Sequence, residues 1–394
     1  MVETFEHRDL SDSVFHFVEL RRAVFDDVNL ADATIHNADL ADLLIDEAYI
    51  RGLTINGIEV EPPAGAGSAR SGAHPAGRGD SPRDRGALAR QDERPSRLPG
   101  EARLGEGVKM KVGIDSYSFH RYFGEIRPQR MEEDPGQRWT AFDLIACAQR
   151  VGAAGLSLET CYMPALDSGF LRELRAALDD AKLDRVLAWG HPVGLERGTS
   201  REALEDLKLH IPSTRELGCR TMRITASGSH YSPELEARFV RDLDPVLREA
   251  LRAAEDQGVT LAIENHGDFD SDALLRLIDR IGSPNLRVTL DTGNLLSVGD
   301  DPVEGSRKLA PYVAATHIKD LVLVESSPPG SAEYWCTPIG EGVVDVPAIL
   351  KHLSAAGYDG LLCIELESRS PAWRQTSEEE CIRMSVEYLR SFVG

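Results

Sequence analysis

Four short segments in the second half of the chain place carboxylates or a histidine directly after an apolar run. The segments are Ile263-Glu264-Asn265-His266, Thr289-Leu290-Asp291-Thr292-Gly293-Asn294, Thr316-His317-Ile318-Lys319 and Ile364-Glu365-Leu366-Glu367. If the fold brings them together, their buried negative charges repel one another unless a cation joins them. An oxygen-rich ligand set with one imidazole nitrogen favours Mn²⁺ first, then Mg²⁺, with Co²⁺ or Zn²⁺ as alternatives. The segments therefore predict a divalent metal site.

The elements that carry these segments are predicted to be strands, which alternate with helices from Met110 onwards. The run Val259–Ile263 follows a glycine and is largely apolar, which is typical of a strand buried in a parallel sheet. Similar runs begin near Val112, Leu156, Arg185, Thr221, Leu286, Val313 and Leu361. Eight strand–helix repeats predict an α/β fold, the (β/α)8 TIM barrel, whose C-terminal strand ends surround one pocket. An open doubly wound sheet is the alternative, but it needs a glycine-rich loop after its first strand, and the chain has none there.

Residues 1–60 carry an internal repeat with an apolar residue at every fifth position from Phe5 to Val60. A period of five suits neither a helix nor a strand, but it suits a solenoid in which each unit points one residue inward. The repeat resembles the pentapeptide-repeat family, which implies a short right-handed β-helix. The acidic residues between the apolar ones are either a solvated surface or, as in some members of that family, a mimic of DNA.

The composition changes to Pro, Gly, Ala, Ser and Arg in residues 61–109. A segment with so few large apolar residues cannot bury enough surface to fold, so it is predicted to be a disordered linker. The predicted barrel domain then occupies residues 110–394. Because Met110 opens directly on a strand, we hypothesise that it is the native start, which an intact-mass measurement on the natural product would test.

Composition and charge limit the classes of partner. A formal net charge of -21 argues against nucleic acid, because phosphate binding needs clustered Lys and Arg. No apolar run is long enough to predict a membrane span. The six cysteines are scattered without a Cys-x-x-Cys pair, which predicts reduced, buried thiols, and the acidic N-terminus is unlike a signal peptide. The sequence therefore predicts a cytoplasmic protein.

The order of the four chemical segments resembles the xylose-isomerase-like TIM-barrel superfamily of sugar isomerases and epimerases. The resemblance covers about residues 110–394, including the segment 338–345 before the last strand. It implies one divalent metal ion on Glu264, Asp291, His317 and Glu365. In the ketose 3-epimerases of this group the two glutamates also move protons on opposite faces of the substrate. The chain departs from those epimerases at Asn294, where they carry a substrate-binding histidine.

Several further residues at strand ends are candidates for catalysis or substrate binding. His266 lies on the same face of its strand as Glu264, so it is either a base or a residue that orients a ligand. Lys319 either steadies the developing negative charge or pairs with Glu367. The other candidates, each with a structural role as the alternative, are His191, Arg223, Asn294 and Trp335 for the substrate and Asp115, His120 and Glu159 at the first two strand ends.

These features predict an enzyme that abstracts a proton next to a sugar carbonyl, giving isomerisation or epimerisation. The C-glycoside deglycosidase α-subunits also resemble this superfamily, which keeps open a lyase that cleaves 3-keto-C-glycosides and needs a partner subunit. A non-catalytic sugar-binding barrel is the third alternative. The expected partner is a small sugar or sugar derivative, with a homo-oligomer as a further expectation. The segment 321–345, with Tyr334 and Trp335, is either a binding loop or a loop packed on the barrel rim.

Overall fold

The structure is a computed structural model that describes residues 54–55, 58–59 and 110–393, apart from 165, 228–232 and 327–330. The two short strands Thr54–Ile55 and Ile58–Glu59 pair antiparallel. The predicted β-helix in residues 1–60 otherwise lies outside the described residues, as does the predicted linker in residues 61–109. Both therefore stay predictions.

Eight parallel strands close into a barrel, in which the first strand pairs with the second and with the eighth. This confirms the predicted TIM-barrel architecture, and each strand begins within one residue of the position that the sequence predicts. The strands are β1 Lys111–Asp115, β2 Gly155–Glu159, β3 Asp184–Ala188, β4 Thr221–Ile224, β5 Thr260–Glu264, β6 Leu286–Asp291, β7 Val313–Ile318 and β8 Leu361–Ile364.

Helices follow the strands and cover the outside of the barrel. They are α1 Ala141–Val151, α2 Ser168–Asp180, α3 Arg201–Leu217, α4 Pro233–Asp256, α5 Ser271–Ile281, α6 Pro302–Leu309, α7 Val346–Ala355 and α8 Glu378–Val393, with a short helix Asn294–Ser297 between β6 and α6. Among the described residues, none of these helices combines the length and the apolar character that crossing a bilayer requires.

Alternation along the strands separates two apolar layers. Leu261 and Ile263 of β5 face the helices and join the large outer core, whereas Ala262 points into the barrel. The inner layer is made of small and medium side chains, namely Val186, Ala262, Ala315, Leu361 and Cys363. Glu264, two residues after Ala262, also points inward. It therefore lies one layer above Ala262, at the C-terminal end of the barrel.

The segment after β7 forms an antiparallel hairpin of Asp320–Ser326 and Ser331–Thr337, below called the rim hairpin. The sequence analysis expected a loop here. Trp335 is buried, and the guanidinium of Arg130 lies 4.9 Å from the centre of its ring. Arg130 also pairs with Glu333 at 2.7 Å, so the segment between β1 and α1 is attached to the hairpin. Tyr334 is exposed.

The buried carboxylate of Asp320 fixes the segment that joins the rim hairpin to α7. It accepts hydrogen bonds from the amides of Leu321, Gly340, Gly342 and Val344 at 2.9 to 3.0 Å. A Cβ atom at Gly342 would lie 2.1 Å from the Asp320 Oδ1 atom, so only glycine fits there.

Five of the six cysteines are buried free thiols, as predicted, but Cys161 is exposed. The prediction was wrong there because Cys161 lies in the turn Thr160–Tyr162 after β2, outside the core.

We expect Asp320→Ala to lower the free energy of unfolding by about 3 kcal/mol or more, because it leaves several buried amides without an acceptor. Urea denaturation followed by circular dichroism measures the change. Asp359→Ala removes an exposed carboxylate and is the matched control, with an expected change within about 0.5 kcal/mol. Equal stability of the two variants would contradict the role of Asp320.

Candidate metal centre

The last inward-facing residues of four strands meet at the C-terminal end of the barrel. Glu264 ends β5, Asp291 ends β6, His317 lies in β7 and Glu365 directly follows β8. Each of these buried residues offers one ligand atom, and these atoms all lie within 4.8 Å of one another. The structure thus brings together the four residues that the sequence analysis singled out as ligands.

Unpaired buried atoms inside this cluster fit a bound cation. The Nδ1 atom of His317 lies 2.6 Å from the Oε2 atom of Glu365 and 3.4 Å from the Oε2 atom of Glu264. His317 Nδ1 and Glu365 Oε2 nevertheless make no hydrogen bond of acceptable geometry, although both are buried. Buried polar atoms in proteins are normally paired, and a divalent cation would satisfy both. The residues present therefore fit a metal ion.

Burial and nearby positive charges shift the pKa values of the candidate ligand carboxylates in opposite directions. Burial raises the pKa of Asp291, and Lys319 offsets that effect only in part. Burial would also raise the pKa of Glu264, but Arg223 and His317 outweigh it and hold this pKa well below its usual range. A divalent cation would favour the ionised form of both carboxylates.

Asp115 and Asn265 contact the candidate ligands or their strands, a role that was not assigned to them from the sequence. The Oδ2 atom of Asp115 lies 3.3 Å from His317 Nε2, the ring nitrogen that points away from Glu365. Such a carboxylate fixes the orientation of a metal-binding histidine. The side-chain amide of Asn265 pairs with the backbone N–H and C=O groups of Asp291, both at 2.8 Å, and so holds the ends of β5 and β6 together.

Asp291 is oriented by the turn that follows it. Its Oδ1 atom accepts hydrogen bonds from the amides of Gly293 and Asn294 at 2.8 and 2.9 Å. The side chain of Asn294 donates to Asp291 Oδ2 at 2.9 Å and to Glu264 Oε1 at 3.3 Å. Asn294, which the sequence analysis assigned to substrate binding, therefore contacts two of the four proposed ligands.

Two buried cations neutralise part of the negative charge. Arg223, predicted as a substrate contact, binds Glu264 through Nε and lies 3.1 Å from Glu159 through Nη1. The Nζ atom of Lys319 lies 2.9 Å from Asp291 Oδ2 and 3.2 Å from Glu365 Oε1. Lys319 also pairs with Glu367, so the two roles that the sequence analysis offered for Lys319 are compatible.

The remaining candidates contact residues other than the four proposed ligands. His266 is exposed, and its Nδ1 atom lies 3.3 Å from the carbonyl oxygen of Ser227. His191 is half-buried and stacks on Trp189, with ring centres 5.0 Å apart. His120 pairs with Glu132 at 3.0 Å.

The chain is therefore an α/β-barrel protein that carries three carboxylates and one histidine, a ligand set suited to a metal ion, at the C-terminal end of the barrel. The sequence model of the xylose isomerase-like TIM barrel family matches residues 142–392, which is more than half of the chain. The chain belongs to this family.

Comparison with curated proteins finds relatives of several kinds. The chain is 30% identical to the putative L-ribulose-5-phosphate 3-epimerase SgbU of Escherichia coli (strain K12) over 49% of this chain and 66% of the relative. It is 24% identical to inosose dehydratase of Clostridium beijerinckii over 49% of this chain and 72% of the relative. It is 25% identical to the uncharacterized protein YihM of Escherichia coli over 40% of this chain, but the match spans only about half, 51%, of YihM.

Solved structures share the fold. A xylose isomerase domain protein from Planctomyces limnophilus superposes with a TM-score of 0.56 at 21% identity, over 72% of this chain and 97% of that chain. A xylose isomerase-like TIM barrel protein from Mycobacterium smegmatis, in complex with magnesium, gives a TM-score of 0.54 at 19% identity, over 72% and 96% of the two chains.

We expect the full chain to bind about one Mn²⁺ ion and Glu365→Gln to bind it at least about tenfold more weakly, because a charged ligand is lost.

We expect Asp115→Asn, which acts through His317, to weaken binding about 10- to 100-fold. Isothermal titration calorimetry measures both. Glu133→Gln changes an exposed carboxylate and is the control. Wild-type affinity in Glu365→Gln would refute the site.

Proposed function

We propose that this protein is a divalent-metal-dependent enzyme that isomerises or epimerises a sugar by moving a proton next to its carbonyl group. The observation that carries the proposal is the buried cluster of Glu264, Asp291, His317 and Glu365, because it combines a complete ligand set with two glutamates on different strands. The proposed metal is Mn²⁺, with Mg²⁺, Co²⁺ or Zn²⁺ as alternatives. The likeness to SgbU supports sugar chemistry.

The proposed division of labour follows from the contacts of each side chain. When bound, a divalent ion polarises a carbonyl and acidifies the neighbouring C–H group. Glu264, which Arg223 holds in its ionised form, and Glu365 each present a carboxylate to the cluster, and both carboxylates are proposed to exchange a proton with the substrate. The two glutamates come from different strands, so one can remove a proton from a substrate carbon and the other can return it.

Lys319 acts in this proposal as a positive charge and not as a base. Burial alone would lower its pKa, but Asp291, Glu365 and Glu367 hold that pKa well above its usual range. An ammonium group that stays protonated can donate hydrogen bonds to oxygen atoms of the substrate that gain negative charge. Its contacts with two proposed ligands support this role.

A lyase is the second candidate, and the position of His266 favours it. The ring is exposed near Glu264, and the contact of Nδ1 with the Ser227 carbonyl makes Nδ1 the donor and leaves Nε2 as an acceptor. A further base beside the metal ligands suits a reaction in which proton removal is followed by loss of a leaving group. The proposed lyase substrates are 3-keto-C-glycosides, and the likeness to inosose dehydratase supports elimination chemistry. A non-catalytic sugar-binding barrel is disfavoured, because binding alone does not need a complete set of metal ligands.

We expect the Mn²⁺-loaded chain to convert at least one member of a panel of ketoses, inososes and 3-keto-glycosides, and to exchange the C–H next to the carbonyl with D₂O. Mass spectrometry detects the exchange, and identification of the product separates isomerisation from bond cleavage. Glu365→Gln should lower the rate by at least about 100-fold, as expected for the loss of an acid–base group. Glu133→Gln is the control, and full activity of Glu365→Gln with unchanged metal content would contradict the proposal.

We expect Lys319→Met to separate catalysis from metal binding. The substitution removes a cation from Asp291 and Glu365, so the affinity for Mn²⁺ should stay the same or rise. Turnover should fall by about 100-fold or more, because a preorganised positive charge is lost. Parallel calorimetry and rate measurements test this, and loss of both properties in a folded variant would instead assign Lys319 a structural role.

A further inference from the structure

We infer that the site takes an uncharged polyhydroxy carbonyl compound and discriminates against phosphorylated or carboxylated sugars. The inference rests on the proposed function and narrows its substrate class. It is carried by two observations: the cations that the structure describes around the candidate metal centre are already bound by carboxylates, and backbone amides near the end of β7 are occupied by Asp320. The relatives leave this question open, because their names include a sugar phosphate and an uncharged inosose.

The cations around the site form a continuous chain of ion pairs that leads outward from the ligands. Lys319, which contacts Asp291 and Glu365, pairs with Glu367. Glu367 in turn lies 3.2 Å from Arg127, which belongs to the segment between β1 and α1. The charges of Lys319 and Arg127 are therefore already compensated by protein carboxylates.

Arg127 has a second carboxylate partner and an aromatic partner. Its Nη2 atom lies 2.9 Å from Glu125 Oε1, and its guanidinium carbon lies 5.0 Å from the centre of the Tyr117 ring. The hydroxyl groups of Tyr117 and Tyr162 donate to the two oxygens of Glu125, each at 2.7 Å. About a quarter of the Arg127 side chain, 24%, is exposed, so the group borders solvent.

This arrangement of tyrosine rings and paired charges, below called the tyrosine wall, consists of Tyr117, Tyr162, Glu125, Arg127 and Glu367. Aromatic faces pack against the C–H groups of a sugar, and carboxylates and phenols exchange hydrogen bonds with its hydroxyl groups. A neutral sugar needs no unpaired cation for these contacts. A phosphate group needs unpaired donors, because its strong interactions are charge-assisted hydrogen bonds to free Arg, Lys or amide N–H groups.

The second observation concerns the amides after β7. In TIM barrels a phosphate site is frequently built from the loops after strands seven and eight. Here the amides of Leu321, Gly340, Gly342 and Val344 all donate to the side chain of Asp320. A protein carboxylate occupies these four donors, so they are not available to an anion of the substrate.

Displacing these internal carboxylates would be unfavourable. A phosphate that approached Arg127 would have to separate it from Glu125 or Glu367 and would then face both carboxylates. Like charges at close range in a partly buried site suppress binding of the wrong partner. Substrate hydroxyl groups avoid this cost, since they insert into the network without bringing a net charge.

A matched pair of unreactive sugar alcohols, ribitol and ribitol 5-phosphate, tests the inference. Neither has a carbonyl group, so calorimetric titration of the Mn²⁺-loaded full chain measures binding without turnover. We expect ribitol 5-phosphate to bind at least about tenfold more weakly than ribitol. The intrinsic affinity of phosphate for Mn²⁺ works against this order, which makes the test stringent. Equal or tighter binding of the phosphate would overturn the inference.

Glu125→Gln provides the diagnostic variant, because it removes a negative charge from Arg127 while keeping the hydrogen-bonding shape of the side chain. We expect its discrimination between the two alcohols to fall by about tenfold. Glu133→Gln makes the same charge change on an exposed position of the same segment and should keep the wild-type ratio. An unchanged ratio in Glu125→Gln would overturn the role of the tyrosine wall.

The outcome is distinguishable from failure of the proposed function. If ribitol is preferred but no sugar of the turnover panel reacts, the proposed reaction is wrong and the substrate class stands. If sugars react and the phosphorylated members have the higher kcat/KM, the proposed reaction stands and the inference is refuted.

Discussion

Repulsion between carboxylates at the C-terminal end of the barrel is the constraint on which the surrounding structure depends. Glu264, Asp291 and Glu365 are brought together in a buried volume, where isolated negative charges are costly. Arg223 is placed on the β4 side and Lys319 on the β7 side, and each contacts a ligand carboxylate. The positions of these two cations follow from the need to balance this charge.

The barrel meets the constraint through strand alternation. Every second residue of a parallel strand points inward, and the last such residue is polar or charged in seven of the eight strands. Beneath them, side chains such as Ala262 and Ala315 fill the interior and support the polar layer from below. The seven residues, each within one position of the end of its strand, are Asp115, Glu159, Arg223, Glu264, Asp291, His317 and Glu365.

The strand positions and the meeting of Glu264, Asp291, His317 and Glu365 could be predicted from the sequence, because apolar runs mark the strands and a barrel gathers their ends. The ion pairs and hydrogen bonds among the polar residues at the strand ends could not be predicted. Whether Arg223 faces a substrate or Glu264 depends on register between neighbouring strands and on rotamers, neither of which leaves a periodic signal. The rim hairpin was missed for a related reason: Leu321–Val324 is apolar on both faces, so it lacks the alternation that marks an exposed strand.

Arg130 and Arg127 attach the segment between β1 and α1 to its neighbours at the rim of the barrel through ion pairs. Arg130 binds Glu333 and covers Trp335 of the rim hairpin, while Arg127, three residues earlier, binds Glu367 after β8. Any movement of the segment between β1 and α1 away from the rim hairpin or from the end of β8 must therefore break partly exposed ion pairs, which dissolved salt weakens. The mobility of this part of the rim would accordingly depend on ionic strength, even when the bound ligand carries no charge.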